Sequence, residues 1–221
     1  MDVFQAVTTR RSIRRFRPDP VPEELIRETL DAARWSPSWG NTQPWEIVVV
    51  TGEPLERFKQ ANRRRMMEGI IAAPDTKMPD VWPDILKRRY VEVGKKVLGS
   101  LEIARGDQEG RLRYAGDMSA LFDAPCLLLF CVEKTLAREY AMLDIGAILQ
   151  TVCLLAHSRG AGTCILAASV MYPALIREII PIPETKAVII GAALGFPDTG
   201  APINNFDRER TAPDEFTTWV R

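Results

Sequence analysis

Residues 10–16, Arg-Arg-Ser-Ile-Arg-Arg-Phe, set four guanidinium groups around one hydroxyl and two apolar side chains. Planar guanidinium forks donate paired, charge-assisted hydrogen bonds, so Arg10, Arg11, Ser12 and Arg14 suit a phosphate. Two other origins fit a cluster of this kind: a solvated basic arm, or a contact with nucleic acid. The interleaving of Ser12, Ile13 and Phe16 with the arginines favours an ordered segment packed on a core. A second basic pair, Arg208 and Arg210, stands near the far end of the chain and alone would read as a solvated face.

Upstream of the cluster, Asp2 to Thr9 predict a short amphipathic helix, with Val3, Phe4 and Val7 on one side and Asp2 as its cap. Downstream, a second helix is expected from about Pro22, with Glu23 and Glu24 in its first turn and Leu25, Ile26, Leu30 and Ala33 at helical spacing. Ser36-Pro37-Ser38-Trp39-Gly40-Asn41-Thr42-Gln43-Pro44-Trp45 then forms a proline-bracketed polar loop. Its amides, hydroxyls and indole rings suit a heteroaromatic ring with a polar edge, although a plain connecting loop is the simpler origin. Trp45 to Val50 is short and β-branched, which predicts a strand.

From about Pro54 to Tyr114 the composition changes. Fourteen Lys/Arg and eight Asp/Glu between Arg57 and Arg113 give this stretch an excess of six positive charges. With Pro74, Pro79 and Pro83 interrupting it, the stretch is expected to be a helical lid excursion, 54–114, from a single domain covering 1–221. The order of 70–83 is open from composition. The apolar core resumes with strands at Pro125 to Val132, Thr163 to Ala167 and Lys186 to Leu194. Between them, Ala141 to His157 predict a helix apolar on nearly every face, buried centrally or in an interface. A short helix is expected around Pro173 to Ile180, and the aromatic end, Phe216 to Trp219, needs a surface to pack on.

Lys+Arg and Asp+Glu both number 29, and this balance argues against bulk nucleic-acid binding. The longest apolar run, Ala187 to Phe196, falls short of the ~20 residues of a membrane helix. With four cysteines forming no CxxC pair and no visible leader, a cytoplasmic protein with free thiols is expected. The one histidine, His157, excludes a multi-histidine metal site and reads as structural. Neither a phosphate-binding GxxxxGK nor a dinucleotide GxGxxG is present, so hard chemistry would belong to a bound cofactor.

The chain resembles the FMN-dependent nitroreductase family over essentially its whole length. RRSIRRFRPDPVPEELI resembles that family's N-terminal signature, and SPSWGNTQPW its isoalloxazine-contacting loop. DIGAILQTVCLLAHSRGAGTCIL is similar to its central helix and following strand, GAALGFPD to its penultimate strand and turn, and Arg208-Glu209-Arg210 to its closing basic element. The resemblance implies that Arg10, Ser12 and Arg208 or Arg210 hold the FMN phosphate, with Arg11 nearby and Arg14 at the pyrimidine edge. It implies that Pro37, Ser38, Trp39, Asn41 and Gln43 line the flavin ring, often from the partner subunit. Where the family usually places a glycine-containing pair with N–H groups toward the flavin, this chain has Ala167-Ala168, and alanine keeps the backbone donor.

The implied fold is α+β: a central mixed, mostly antiparallel sheet flanked by helices, in an interwoven homodimer with FMN at the subunit interface. The implied chemistry is ping-pong two-electron reduction of nitroaromatic or quinone acceptors by NAD(P)H, with no dedicated catalytic side chain, no metal, no nucleic acid and no membrane. The basic stretch, with Arg63-Arg64-Arg65 and Lys87-Arg88-Arg89, would favour an anionic aromatic or the extra phosphate of NADPH, unless these are solvated helix faces. The segment at 101–107 resembles the nitrobenzoate-reductase branch. Reductive dehalogenation and flavin-consuming cobamide-ligand synthesis occur on the same fold and are the alternative reactions; a basic-arm nucleic-acid binder is the non-enzyme alternative.

Overall fold

Alternation inside the leucine-rich run Cys126–Glu133 decides how the chain is layered. Cys126, Leu128, Phe130 and Val132 point to one face of the sheet, Leu127, Leu129 and Cys131 to the other, and all seven are buried. The computed structural model describes all 221 residues. Its four strands are β1 (Glu46–Thr51), β2 (Cys126–Glu133), β3 (Gly162–Leu166) and β4 (Lys186–Gly195). Its helices are α1 (Val3–Thr9), α2 (Glu23–Ala33), α3 (Gly52–Met67), α4 (Asp84–Gly99), α5 (Gln108–Ser119), α6 (Arg138–Ser158) and α7 (Pro173–Ile179).

The sheet order is β1-β2-β4-β3 and every strand pair is antiparallel. Its mixed character is confined to one parallel bridge, Ser12 to Thr163, on the outer edge of β3. β2 and β4 are interior and covered on both faces, which is why their sequences read as continuous apolar runs. α2 and α6 cover one face through Ile26, Ala33, Ile148 and Val152; α3 and α7 cover the other through Leu55, Phe58 and Ile176.

Two expectations change on folding. The stretch 54–114 divides in two. α3 is part of the core, with Leu55 and Phe58 fully buried and Asn62 donating to the carbonyls of Ser119 (2.7 Å) and Ala168 (3.0 Å). α4 buries Val97 alone, so the excursion proper is α4 with its flanking turns. Residues 70–76 are tied down first: Tyr172 Oη donates to Ile70 O (3.1 Å), and Asp75 accepts from the Arg177 guanidinium (3.0 Å) and Val188 N–H (2.9 Å).

The second change concerns α6. It is long and apolar enough to cross a membrane by length and composition. One face packs on the sheet through Ile145, Ile148, Val152 and Ala156, while Tyr140 and Leu143 on the other stand in solvent, Leu143 at 69% exposure. α1 shows the same one-sidedness. Asp2 caps it through a reciprocal capping box with Gln5, yet Val3, Phe4 and Val7 are exposed, Phe4 at 84%. These apolar faces have no cover within the chain.

Candidate functional site

Past α1 the arginine segment runs along the outer edge of β3. Ile13 N–H donates to Thr163 O (2.9 Å), Phe16 bridges Pro197, and Arg17 N–H donates to Phe196 O (2.8 Å). Ile13 and Phe16 are buried, which confirms an ordered segment. The close approach requires bare backbone at two points: a Cβ on Gly162 would collide with Ile13 and Pro197, and one on Gly195 would meet Phe16 Cδ1 at 2.7 Å. Four guanidinium groups are thereby anchored at a sheet edge.

The C-terminal segment returns to the same place. The Arg208 guanidinium donates to the carbonyls of Arg10 and Thr8, the latter at 2.8 Å, and Arg11 donates to the carbonyl of Asn204. Beside them opens a cavity of about 890 Å³, lined by Arg10, Arg11, Ser12, Arg14, Arg208 and Arg210 and walled opposite by Trp82, Ile85, Arg88, Arg89 and Tyr90 of the α4 region. Eight cationic side chains line it against four acidic ones, so the cavity favours an anion. None of Arg10, Arg11, Arg14, Arg208 or Arg210 forms an ion pair with a carboxylate, whereas Arg63 is paired with Asp117 and Arg65 with Glu178. Arg10 Nε is buried with no hydrogen-bond partner. Burial, then the charges of Arg11, Arg210 and Arg10, lower the pKa of Arg208 below its ordinary value. Both observations suit binding of a polyanion, and a phosphate monoester would satisfy the orphan donor and the charge together.

Arg14 reaches deeper. Its guanidinium lies 5.8 Å over the Phe206 ring and next to Tyr114 of α5, whose phenol is raised by burial and lowered again by the Arg14 charge. His157, at the C-terminal end of α6, is hydrogen-bonded to Thr9 Oγ1 (2.8 Å), which agrees with a structural histidine; burial and then Arg10 and Arg208 lower its pKa. Ala167 and Ala168 open the short 3-10 turn Ala167–Val170 after β3, where the first N–H groups lack an internal acceptor. Neither residue lines the cavity.

The polar loop lies elsewhere. Trp39–Asn41 form a 3-10 turn in which Gly40 (φ 56°) and Asn41 (φ 57°) are left-handed, followed by Gln43 (φ 50°). Asp144 Oδ1 accepts the Trp39 N–H (3.0 Å), Ser38 Oγ accepts the Gln43 N–H (2.9 Å), and the Trp39 and Tyr140 rings meet at 5.9 Å. Pro37, Trp39, Asn41 and Gln43 are exposed, Ser38 is half-buried, and none lines the cavity. The loop leads into β1, one edge of the sheet, while the arginines sit on β3, the other. Along α6, Asp144 and His157 are thirteen residues apart, about 20 Å. One chain therefore brings the basic residues together but keeps the ring-suited loop apart from them.

Sequence reasoning missed three residues here. Asp144 opens the DIGAILQ stretch but has no assigned role there, Tyr114 and Asn204 sit outside any motif, and only their long-range partners give the three a role.

Residues 7–196 match the model of the Nitroreductase family. The chain is 35% identical to the 4-nitrobenzoate reductase of Pseudomonas putida, over 99% of this chain and 96% of that protein. Its structure is similar to that of the FMN and NADPH-dependent nitroreductase NfnB from sphigopyxis sp. strain HMH, with a TM-score of 0.96 at 30% identity and full coverage of both chains. It is also similar to the FMN-dependent nitroreductase NfnB from Mycobacterium smegmatis in complex with NADPH, with a TM-score of 0.92 at 26% identity over 99% of this chain and 97% of the other.

Proposed function

Since this chain belongs to the nitroreductase family, we propose that it is an FMN-dependent NAD(P)H oxidoreductase that reduces nitroaromatic acceptors, working as a cytoplasmic homodimer. The observation that carries the reading is the knot of guanidinium groups from both chain ends, unpaired by acid, around the partnerless Arg10 Nε. A cytoplasmic setting is supported by four buried free thiols, two of them pushed by burial up to about 12.

Arg10, Arg11, Ser12, Arg208 and Arg210 would hold the FMN phosphate. Arg14, fixed between Phe206 and Tyr114, would present its charge toward the pyrimidine edge, and the backbone N–H groups of Ala167 and Ala168 would face the ring. Pro37, Ser38, Trp39, Asn41 and Gln43 would close over the ring from the second subunit, because their own clamp is about 20 Å away along α6. The uncovered apolar faces of α1 and α6 and the exposed Phe216, Trp219 and Val220 supply surface for such a dimer. Bound there, FMN supplies two-electron transfer from NAD(P)H to the nitro group. The chain's own residues bind and orient it, and α4 limits access of water.

Arg88 lines the cavity without an acid partner and Arg89 reaches Glu215 only at 3.8 Å, which favours an anionic acceptor such as a nitrobenzoate. Purified protein should be yellow and should turn over 4-nitrobenzoate with NADPH faster than nitrobenzene, with the preference shrinking at high salt. A colourless preparation that takes up no FMN would end the reading; equal, salt-insensitive rates would remove the anionic acceptor alone.

A further inference from the structure

The clamp gathers several like charges, yet no carboxylate holds them in place. Beside the Arg208 bonds to the carbonyls of Arg10 and Thr8, one neutral amide joins them. Asn204 is 2% exposed and lines the cavity. Its Oδ1 accepts the Arg14 N–H (2.7 Å), and its Nδ2 donates to the carbonyls of Arg15 (2.8 Å) and Asp198 (2.9 Å). Its own carbonyl accepts the Arg11 guanidinium. Only a side chain with one acceptor and two donors at that reach satisfies all three side-chain partners, and an amide does so without charge. An acid in its place would orient an oxygen toward two carbonyls and would neutralise the field the phosphate needs.

We propose that Asn204 is a positioning residue for the phosphate end of the flavin site: it crosslinks the arginine segment to the C-terminal segment and pre-arranges the guanidinium groups while leaving their charge free. This rests on the FMN reading. Because the Asn204 side chain fixes the backbone at Arg14 and Arg15, in the same segment as Arg10, Arg11 and Ser12, its effect falls mainly on the phosphate, with a smaller share at the ring edge through Arg14.

The test compares FMN with riboflavin, which lacks the phosphate. Holoprotein loaded with either flavin is diluted, and the dissociation constant is read from recovered flavin fluorescence. Wild type should hold FMN far more tightly than riboflavin; no preference would overturn the phosphate reading itself. In Asn204→Ala, FMN affinity should fall about tenfold or more while riboflavin affinity stays within about twofold, as lost pre-organisation of a phosphate site predicts. Asn204→Asp, nearly the same size, should lose at least as much selectivity. Equal weakening of both flavins, an unchanged ratio, or failure of both variants to fold would assign Asn204 to the fold alone and overturn the proposal.

Discussion

The two ends of the proposed flavin site are built on opposite plans. The phosphate end is finished inside one chain: α1, the β3 edge and the C-terminal segment converge, and buried Asn204 locks them. The ring end is left open, its tryptophan held by a single acid and a tyrosine on α6 and otherwise in solvent. Charged clamps need exact spacing among groups that repel, which favours one covalent chain and many buried hydrogen bonds. A flat ring needs only a wall, which a second copy can bring.

The sharpest way to break this contrast is to remove the proposed second copy. Leu143→Arg puts a charge on the exposed face of α6 without touching the core. Light scattering should then find a monomer, and the absorbance at the flavin bands should vanish with the activity. A yellow monomer would mean that one chain completes the ring end by itself.

A smaller effect is expected from the finished end. Arg208→Ala removes a guanidinium but leaves the apolar faces intact, so the proposed dimer should persist. Each charge-assisted bond to phosphate contributes roughly 1.5–3 kcal/mol, so FMN affinity should drop by one to two orders of magnitude on dilution. Unchanged affinity would move the phosphate elsewhere.

The mildest effect concerns pH. His157 has its pKa lowered first by burial, then by Arg10 and Arg208, so the folded chain binds fewer protons than the unfolded chain just below the ordinary value of 6.5. Its stability contribution is complete above that value and lost as pH falls toward the lowered pKa. Without FMN, Tm should drop between pH 7 and 5.5 by no more than about 2 °C, since solvent reaches the ring. The drop should shrink when phosphate occupies the clamp and disappear in His157→Gln. A fall in Tm that survives His157→Gln would place the titrating group elsewhere.

The clustering of the arginines was the more legible feature of the two in the sequence, for a physical reason. Arg10, Arg11, Ser12 and Arg14 lie within one short stretch, and helical apolar spacing predicts the helices on either side of it. Gly162 and Asn204 were not legible, because a missing Cβ and a neutral amide mean nothing until Ile13 and Arg14 come to lie against them. α3 and α4 show the same limit. Both have 16 residues and dense charge, and only the position of Phe58 over the sheet makes one a core helix while the other stands off. For α6 the sequence left burial centrally or in an interface open, because apolarity does not say whose surface covers a face, and the exposure of Leu143 removes only the central alternative.

The arginine segment has one more consequence, for what happens when many copies crowd together. By lying along β3 it occupies one margin of the sheet with its own backbone, while β1 pairs only with β2 and keeps its outer margin bare. Strand-by-strand stacking into fibrils needs two vacant margins per molecule, and this fold presents a single one. The residues that make room for an anion thus also act as a stopper against endless sheet growth.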